Sequence, residues 1–291
     1  MKTVGPVLVV IAAILALWYA AAIPLNAPWA YDKAMRADVT LSAADLVADT
    51  WSQEKPKLPA PHQVAAEIWD TTGAMALQGR GFSKRSLIYH SWVTFSATAL
   101  GFVLGTALGI LLAVGIVHNR TMDQSVMPWI IASQTVPIIA IAPMIIVVLN
   151  AIGISGLLPK AMISMYLSFF PVVVGMVKGL RSPDAMQLDQ MRTWNASRAT
   201  TFRSLRLPCS MPYFFASLKI AMAASLVGAI IGELPTGAVA GLGARLLAGS
   251  YYGQTVQIWS ALLMAALLAA VLVGLIGAVQ RVVLGRMGLD R

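Results

Sequence analysis

The stretch SWVTFSATALGFVLGTALGILLAVGIV, residues 91–117, decides the fold class. It contains no Asp, Glu, Lys or Arg, and it exceeds the roughly 20 apolar residues that a helix needs to cross a bilayer core. A helix on the surface of a water-soluble protein keeps one polar face. This stretch has none, only scattered Ser, Thr and Gly. Gly101, Gly105 and Gly109 recur every four residues within it, and Ala97 extends the row. Small residues at that spacing form a flat strip on which a second helix can lie closely.

Working outward, similar runs occupy residues 4–23, 126–149, 157–177, 212–232 and 255–279. The whole chain is 58% hydrophobic and only 11% charged, where a soluble domain carries about 25% charged residues. The reading is an all-α integral membrane protein with six transmembrane helices. Residues 1–23 form the first. The run is longer than the apolar core of a usual secretion signal, so it is read as retained, although Ala20-Ala21-Ala22 would suit cleavage. Residues 24–87 form a polar loop holding most of the acids, its centre extended by Pro56, Pro59 and Pro61. Pro61 then opens an amphipathic helix, with Val64, Ile68 and Trp69 on one side, that lies at the interface. Residues 88–285 hold five spans interrupted by a polar segment, 178–211, and residues 286–291 are a tail.

Six spans place both termini on one side. That side collects 12 of the 21 bases but only 4 of the 12 acids, including the segment 178–211, which makes it the cytoplasm. The net charge of +9 therefore reflects topology; the bases flank apolar runs and do not form the aromatic-interleaved patch of a nucleic-acid binder. Cys209 is the sole cysteine, and His62, His90 and His118 lack ligand spacing, so no metal site is expected.

Three features bear on mechanism. The third span carries Ser133-Gln134-Thr135 followed by Pro137 and Pro143. Prolines free carbonyls at membrane depth, which is tolerated where a helix lines a cavity or packs inside protein. Ser133, Gln134 and Thr135, with Tyr166 and the nearby Trp129, are therefore candidates for a solute path, the alternative being that these groups bond their own or a neighbouring helix. Glu233, at the outer end of the fifth span, is read as a solvated border residue or as a group touching solute, and it is counted with the path. Finally, no span carries a deep ionisable group and the chain lacks G-x-x-x-x-G-K-[ST]. The first absence disfavours a secondary transporter, which with a channel not coupled to an ATPase is the alternative reading, and the second means that any ATP is used by another chain. No cluster of nucleophile and acid–base groups marks an enzyme.

The sharpest signal lies at residues 184–208, DAMQLDQMRTWNASRATTFRSLRLP. Two short helices fit, about 184–194 and 198–206. Asn195 suits a left-handed junction, Ser197 caps the second helix and Pro208 stops it. Phe202, Leu205 and Leu207 make an apolar edge among arginines. This segment resembles the E-A-A-x3-G-x9-I-x-L-P signature of the permease subunits of bacterial ABC importers. Asp189-Gln190-Met191 stands where E-A-A is expected, Asn195 replaces Gly, and Leu205, Leu207 and Pro208 keep the spacing. Leu58-Pro-Ala-Pro61, residues 137–144 and Gly241-Leu242-Gly243 are similar to the nitrate/sulfonate/taurine/pyrimidine-precursor branch.

The resemblance, over about residues 58–285, implies a type I importer permease of the bacterial inner membrane, with 24–87 in the periplasm. It implies that Asp189, Asn195, Ala196, Ser197, Phe202, Leu205, Leu207 and Pro208 form the coupling helix gripped by an ATPase. Its implied partners are two ATPase subunits that carry ATP and Mg, a second permease copy or paralogue, and a periplasmic solute-binding protein. The chain itself then binds no cofactor. The solute would be a sulfonate, nitrate, taurine or a pyrimidine-type precursor, and neutral groups such as Gln134 and Tyr166 lean towards a heterocycle.

Overall fold

The computed structural model describes residues 4–234 and 239–288. Among them the chain is helical throughout, with no strand. The elements are α1 (Val4–Arg36), α2 (Ala43–Ser52), α3 (Pro61–Trp69), a π turn and the short α4 (Met75–Leu77), α5 (Leu87–His118), α6 (Arg120–Ser133), α7 (Ile138–Ala151), α8 (Leu157–Leu180), α9 (Ala185–Thr193), α10 (Arg198–Thr201), α11 (Leu207–Gly232), α12 (Leu242–Tyr251) and α13 (Thr255–Arg286). Among the described residues five helices are long and apolar enough to cross a membrane: α1, α5, α8, α11 with the turns before it, and α13. The pair α6 and α7 passes the same test jointly but is bent by 97°.

The chain divides into two compact units, Met1–Ser91 with Ala240–Ala265, and Trp92–Val239 with Ala266–Arg291. In the first unit the structure departs from the sequence expectation. Residues 24–36 are helical although the loop was expected to start at Pro24; α1 runs straight through Pro24 and Pro28. The physical reason is a stripe. Ala22, Asn26 and Ala30, each four residues apart, are all buried on one face. Asn26 is the hub of that face. Its Nδ2 donates to the carbonyls of Thr50 (3.0 Å) and Leu58 (2.8 Å), and its Oδ1 accepts from the backbone of Lys57 (2.8 Å) and Leu58 (3.1 Å). These bonds tie α1 to α2 and to residues 53–60, the centre that the prolines were expected to make extended and that carries bends at 54–55 and 57–58. Trp18 Nε1 also donates to the Pro59 carbonyl, at 2.9 Å. Pro61 does open α3. Val64 is buried there while Trp69 is exposed, so the two do not share a face as expected.

The second unit is organised around α8. A Cβ on Gly101 would lie 2.4 Å from Ser164, on Gly105 2.1 Å from Ser168 Oγ, and on Gly109 2.7 Å from Val172. The strip thus packs on α8, and the pairing 101–164, 105–168, 109–172 means that α5 and α8 run parallel. Next to it α11 packs on α8 antiparallel, with Gly179 against Ser210, Gly175 against Ser217 and Gly228 against Ser164, the residue that also faces Gly101. Lipid gives helices no hydrophobic reason to associate, so close backbone approach and hydrogen bonds hold such a trio. Ser164 Oγ lies 2.5 Å from Ser225 Oγ, and Ser225 Oγ donates to the Thr98 carbonyl at 2.9 Å. Around Phe169, Val172, Val173, Met176 and Phe215 the packing is apolar.

The expected third span, 126–149, is two helices. Pro137 is the N-cap of α7, in an extended conformation (φ −61°, ψ 119°), and as a proline it also disfavours the helical region for Val136 before it, so the chain breaks between α6 and α7. Pro143, expected to break the helix too, sits inside α7, and Pro128 inside α6. Asn119 caps α6 by accepting from the Thr121 N–H at 2.8 Å, which starts the helix earlier than hydropathy suggests.

Candidate functional site

The segment 184–208 folds as a helical hairpin. Asp184 caps α9: its Oδ1 accepts from the Gln187 N–H at 2.8 Å, and Gln187 Oε1 accepts in return from the Asp184 N–H at 3.2 Å. Asn195 has φ +51°, the left-handed conformation expected of it. Around it the N–H of Asn195 donates to Arg192 O (2.8 Å) and that of Ala196 to Met191 O (3.0 Å), which closes the helix end. Ser197 Oγ accepts from the Thr200 N–H at 3.1 Å and starts α10. Asp189 pairs with Arg192 at 2.8 Å on the exposed face.

Pro208 does not stop the second helix, contrary to expectation. The chain passes from α10 through a π turn, Phe202–Arg206, directly into α11. In that wide turn the Leu207 N–H donates to Phe202 O, five residues back, and Pro208 falls in the first turn of α11. Proline is tolerated in a first helical turn, where its missing N–H has little to do. Phe202 also differs from expectation. It packs towards the core, its ring 5.1 Å from that of His118, so it is no knob on an outer edge. The exposed apolar groups of the hairpin are Met186, Trp194 and Leu207. Leu205 lines a cavity of about 510 Å³ with Met191, Trp194 and Ala196. A second cavity, about 540 Å³, lies on the other side of Ala196.

The solute-path candidates fall at the α6–α7 elbow. Ser133 Oγ donates to Ile130 O (2.7 Å), Thr135 Oγ1 to Ala132 O (2.8 Å), and Gln134 Nε2 to Ser133 Oγ (3.2 Å). The hydroxyls thus bond back to their own helix, the alternative the sequence had left open. Tyr166 joins them from α8 by donating to the Ser133 carbonyl. Thr135 and Trp129 are exposed, and Ser133 and Gln134 half-buried.

Glu233 lies apart from that elbow, and the expectation of a solvated border residue is overturned: it is fully buried. The Thr94 hydroxyl lies 2.9 Å from Oε2 and 3.0 Å from Oε1, and Lys160 Nζ lies 3.9 Å from Oε1. The carboxylate therefore joins α5, α8 and the end of α11. Sequence reading missed Thr94 and Lys160, since nothing local to either residue announces a partner 139 positions from Thr94. Of the outer segment 233–243, residues 235–238 lie outside the described residues.

In the first unit, His90 Nδ1 accepts from the Gly241 N–H at 3.0 Å, a position with φ +126° that suits glycine. Beyond it Arg245 faces Glu67 at 3.9 Å. Burial lowers the Arg245 guanidinium pKa, and the Glu67 charge opposes the shift. At Asp49 burial acts to raise the carboxyl pKa, but hydrogen bonds from Gln53 and Lys33 and the Lys33 charge outweigh it and hold the group below its ordinary range.

Comparison with known proteins fits this geometry. Residues 105–288 match the family model described as binding-protein-dependent transport system inner membrane component. A probable ABC transporter permease protein of Haemophilus influenzae is 29% identical over 65% of this chain and 75% of its own length. The formylaminopyrimidine transport permease protein ThiX of Halalkalibacterium halodurans is 30% identical over 64% of this chain and 68% of its own. The riboflavin transport system permease protein RibX of Chloroflexus aurantiacus is 29% identical over 77% of this chain and 78% of its own. Matched over more than half its length, the chain belongs to the binding-protein-dependent transport system inner membrane components and is the permease subunit of an ABC importer.

Proposed function

We propose that this permease imports a small nitrogen heterocycle of the pyrimidine or flavin kind, and that a partner ATPase grips it from the cytoplasm through residues 184–208. The observation that carries the coupling role is the hairpin itself. It is capped at Asp184 and Ser197, turned at Asn195, and presents Met186, Trp194 and Leu207 to solvent. Large exposed apolar side chains on short helices whose ends are locally capped are of the kind that a partner protein covers. Two ATPase subunits supply the ATP chemistry, a periplasmic binding protein delivers the solute, and a second permease copy or paralogue completes the path across a bacterial inner membrane. The heterocycle is supported by the neutral polar groups at the elbow, Ser133, Gln134, Thr135 and Tyr166, and by the pyrimidine and riboflavin permeases among the relatives.

The test uses the complex reconstituted with its ATPase and binding protein. Ala196 is half-buried between the two clefts of the hairpin. Ala196→Glu is expected to lower binding-protein-stimulated ATP hydrolysis at least about tenfold, the effect of some 1.4 kcal/mol at the interface. Hydrolysis and uptake equal to wild type would overturn the coupling role. For the solute, thermal shifts of the binding protein are expected with aminopyrimidines or flavins; a shift with nitrate or alkanesulfonates alone would overturn the heterocycle.

A further inference from the structure

The cavity on the inner side of the hairpin is not used by the reading above. It measures about 540 Å³ and is lined by Val117 and His118 at the end of α5, Leu188 and Arg192 of α9, Ala196, Arg198 and Thr201 around α10, and Arg206. Three of these residues are arginines, and among the described residues no Asp or Glu belongs to the lining, Asp189 lying beside it in its pair with Arg192. Their other bonds leave donors to spare. Arg192 spends one N–H on Asp189 (2.8 Å), and Arg206 spends Nη1 on the Leu180 carbonyl (3.1 Å). Arg198 makes no ion pair among the described residues. A guanidinium has five N–H donors, so each of the three keeps at least four. His118 Nδ1 lies 2.8 Å from the Val114 carbonyl oxygen. A carbonyl only accepts, so Nδ1 carries the proton and Nε2 is the other ring position.

We infer that this cleft binds a phosphoryl group. Planar forks that match tetrahedral oxygens two at a time make arginine the preferred phosphate partner, and the cleft offers the charges of Arg198 and Arg206 together with Arg192, whose charge is shared with Asp189. Thr201 adds a hydroxyl at the rim. Two sources share that chemistry. One is the headgroup of an acidic phospholipid. α5 has 32 residues, about 48 Å of helix, against a hydrocarbon core of about 30 Å, so a helix of this length carries its end to headgroup depth. Val117 and Leu188 give that source an apolar wall for the glycerol region. The other is a soluble phosphate compound of the cytoplasm. Either would bridge α5 to both helices of the hairpin and so set how stiffly the hairpin is held. The inference rests on the reading that the hairpin faces the cytoplasm.

The test takes the complete complex purified in neutral detergent. One arm measures retained phosphatidylglycerol by native mass spectrometry after exchange into mixed phosphatidylglycerol and phosphatidylcholine nanodiscs and re-extraction. The other titrates inorganic phosphate and glycerol phosphate by calorimetry. The double variant Arg192→Gln, Arg198→Gln is expected to weaken binding about tenfold for each arginine removed. Arg203→Gln, on the same turn but outside the cleft, is expected to bind as wild type. Retention of phosphatidylglycerol alone assigns the lipid source, and response to the soluble phosphates assigns the other. No binding in either arm, or an equal loss in Arg203→Gln, overturns the cleft while the ATPase still co-purifies. Loss of the ATPase from a wild-type permease that still binds phosphate overturns the coupling reading instead.

Discussion

Glu233 is the residue on which the second unit's outer end depends. A carboxylate with no exposure is held in place only if its partners compensate the lost hydration, and here Thr94 and Lys160 do so from two other helices. Removing Glu233 takes one charge out of that buried arrangement. Glu233→Leu is therefore expected to destabilise the purified permease by about 3 kcal/mol, the lower part of the range for breaking a buried pair, because Lys160 keeps some contact with solvent. Glu233→Gln retains an acceptor for the Thr94 hydroxyl and is expected to cost less than half as much. Melting curves in detergent read both; an unchanged midpoint in Glu233→Leu would refute the role. The contrast with Asn195 and Ser197 shows which residues the sequence makes legible. Their jobs are local, a left-handed turn and a cap, and their neighbours in sequence are their neighbours in space. Glu233 answers to residues on other helices, and its environment exists only once α5, α8 and α11 have packed.

At the scale of elements the glycine strip makes the sharpest prediction. A Cβ at Gly105 meets Ser168 Oγ at 2.1 Å and the Met165 carbonyl at 3.0 Å, and backbone cannot step aside. At Gly115 the atoms met are the flexible tip of Met122, and at Gly277 the nearest is Lys219 Cε at 3.6 Å. Gly105→Ala is thus expected to cost about 1–3 kcal/mol through overpacking, while Gly115→Ala and Gly277→Ala are expected to be neutral or slightly stabilising. Thermal midpoints of the three variants side by side decide it, and equal midpoints would refute close α5–α8 packing. The strip was legible because spacing four is a one-helix property. The prolines were not. Pro24, Pro28, Pro143 and Pro208 all sit in or at the start of helices, whereas Pro137 lies in the break between α6 and α7. In water a proline often ends a helix, since the freed carbonyl finds solvent. In an apolar surround the remaining backbone bonds are too costly to give up, so the helix continues around the defect. The continuation of α1 to Arg36 follows instead from its buried stripe around Asn26, and α10 runs into α11 because Pro208 falls in a first helical turn, where its missing N–H has little to do.

For the whole molecule the open question is whether the bent pair α6–α7 crosses the membrane or turns back within it, since that sets which side each loop faces. Packing in the second unit answers it. Because α5 and α8 run parallel along the strip, the end of α5 at His118 and the start of α8 at Leu157 lie at opposite ends of the pair. Residues 119–156 must therefore travel back along the whole length, so the pair makes a crossing despite its 97° bend. The antiparallel α11 then returns from the hairpin end to Glu233. Hydropathy alone sees apolar length and cannot distinguish a bent crossing from a re-entrant loop; the glycine register can. The expected outcome is read with single cysteines in a Cys209→Ser background, at the exposed positions Thr121, Ser155 and Ser197. Thr121→Cys and Ser197→Cys are expected to react with an impermeant maleimide in inside-out vesicles, and Ser155→Cys only in right-side-out ones. A re-entrant pair would put Thr121→Cys and Ser155→Cys on the same face and Ser197→Cys on the other, which would contradict both the parallel packing and the charge bias that places the hairpin's arginines inside the cell.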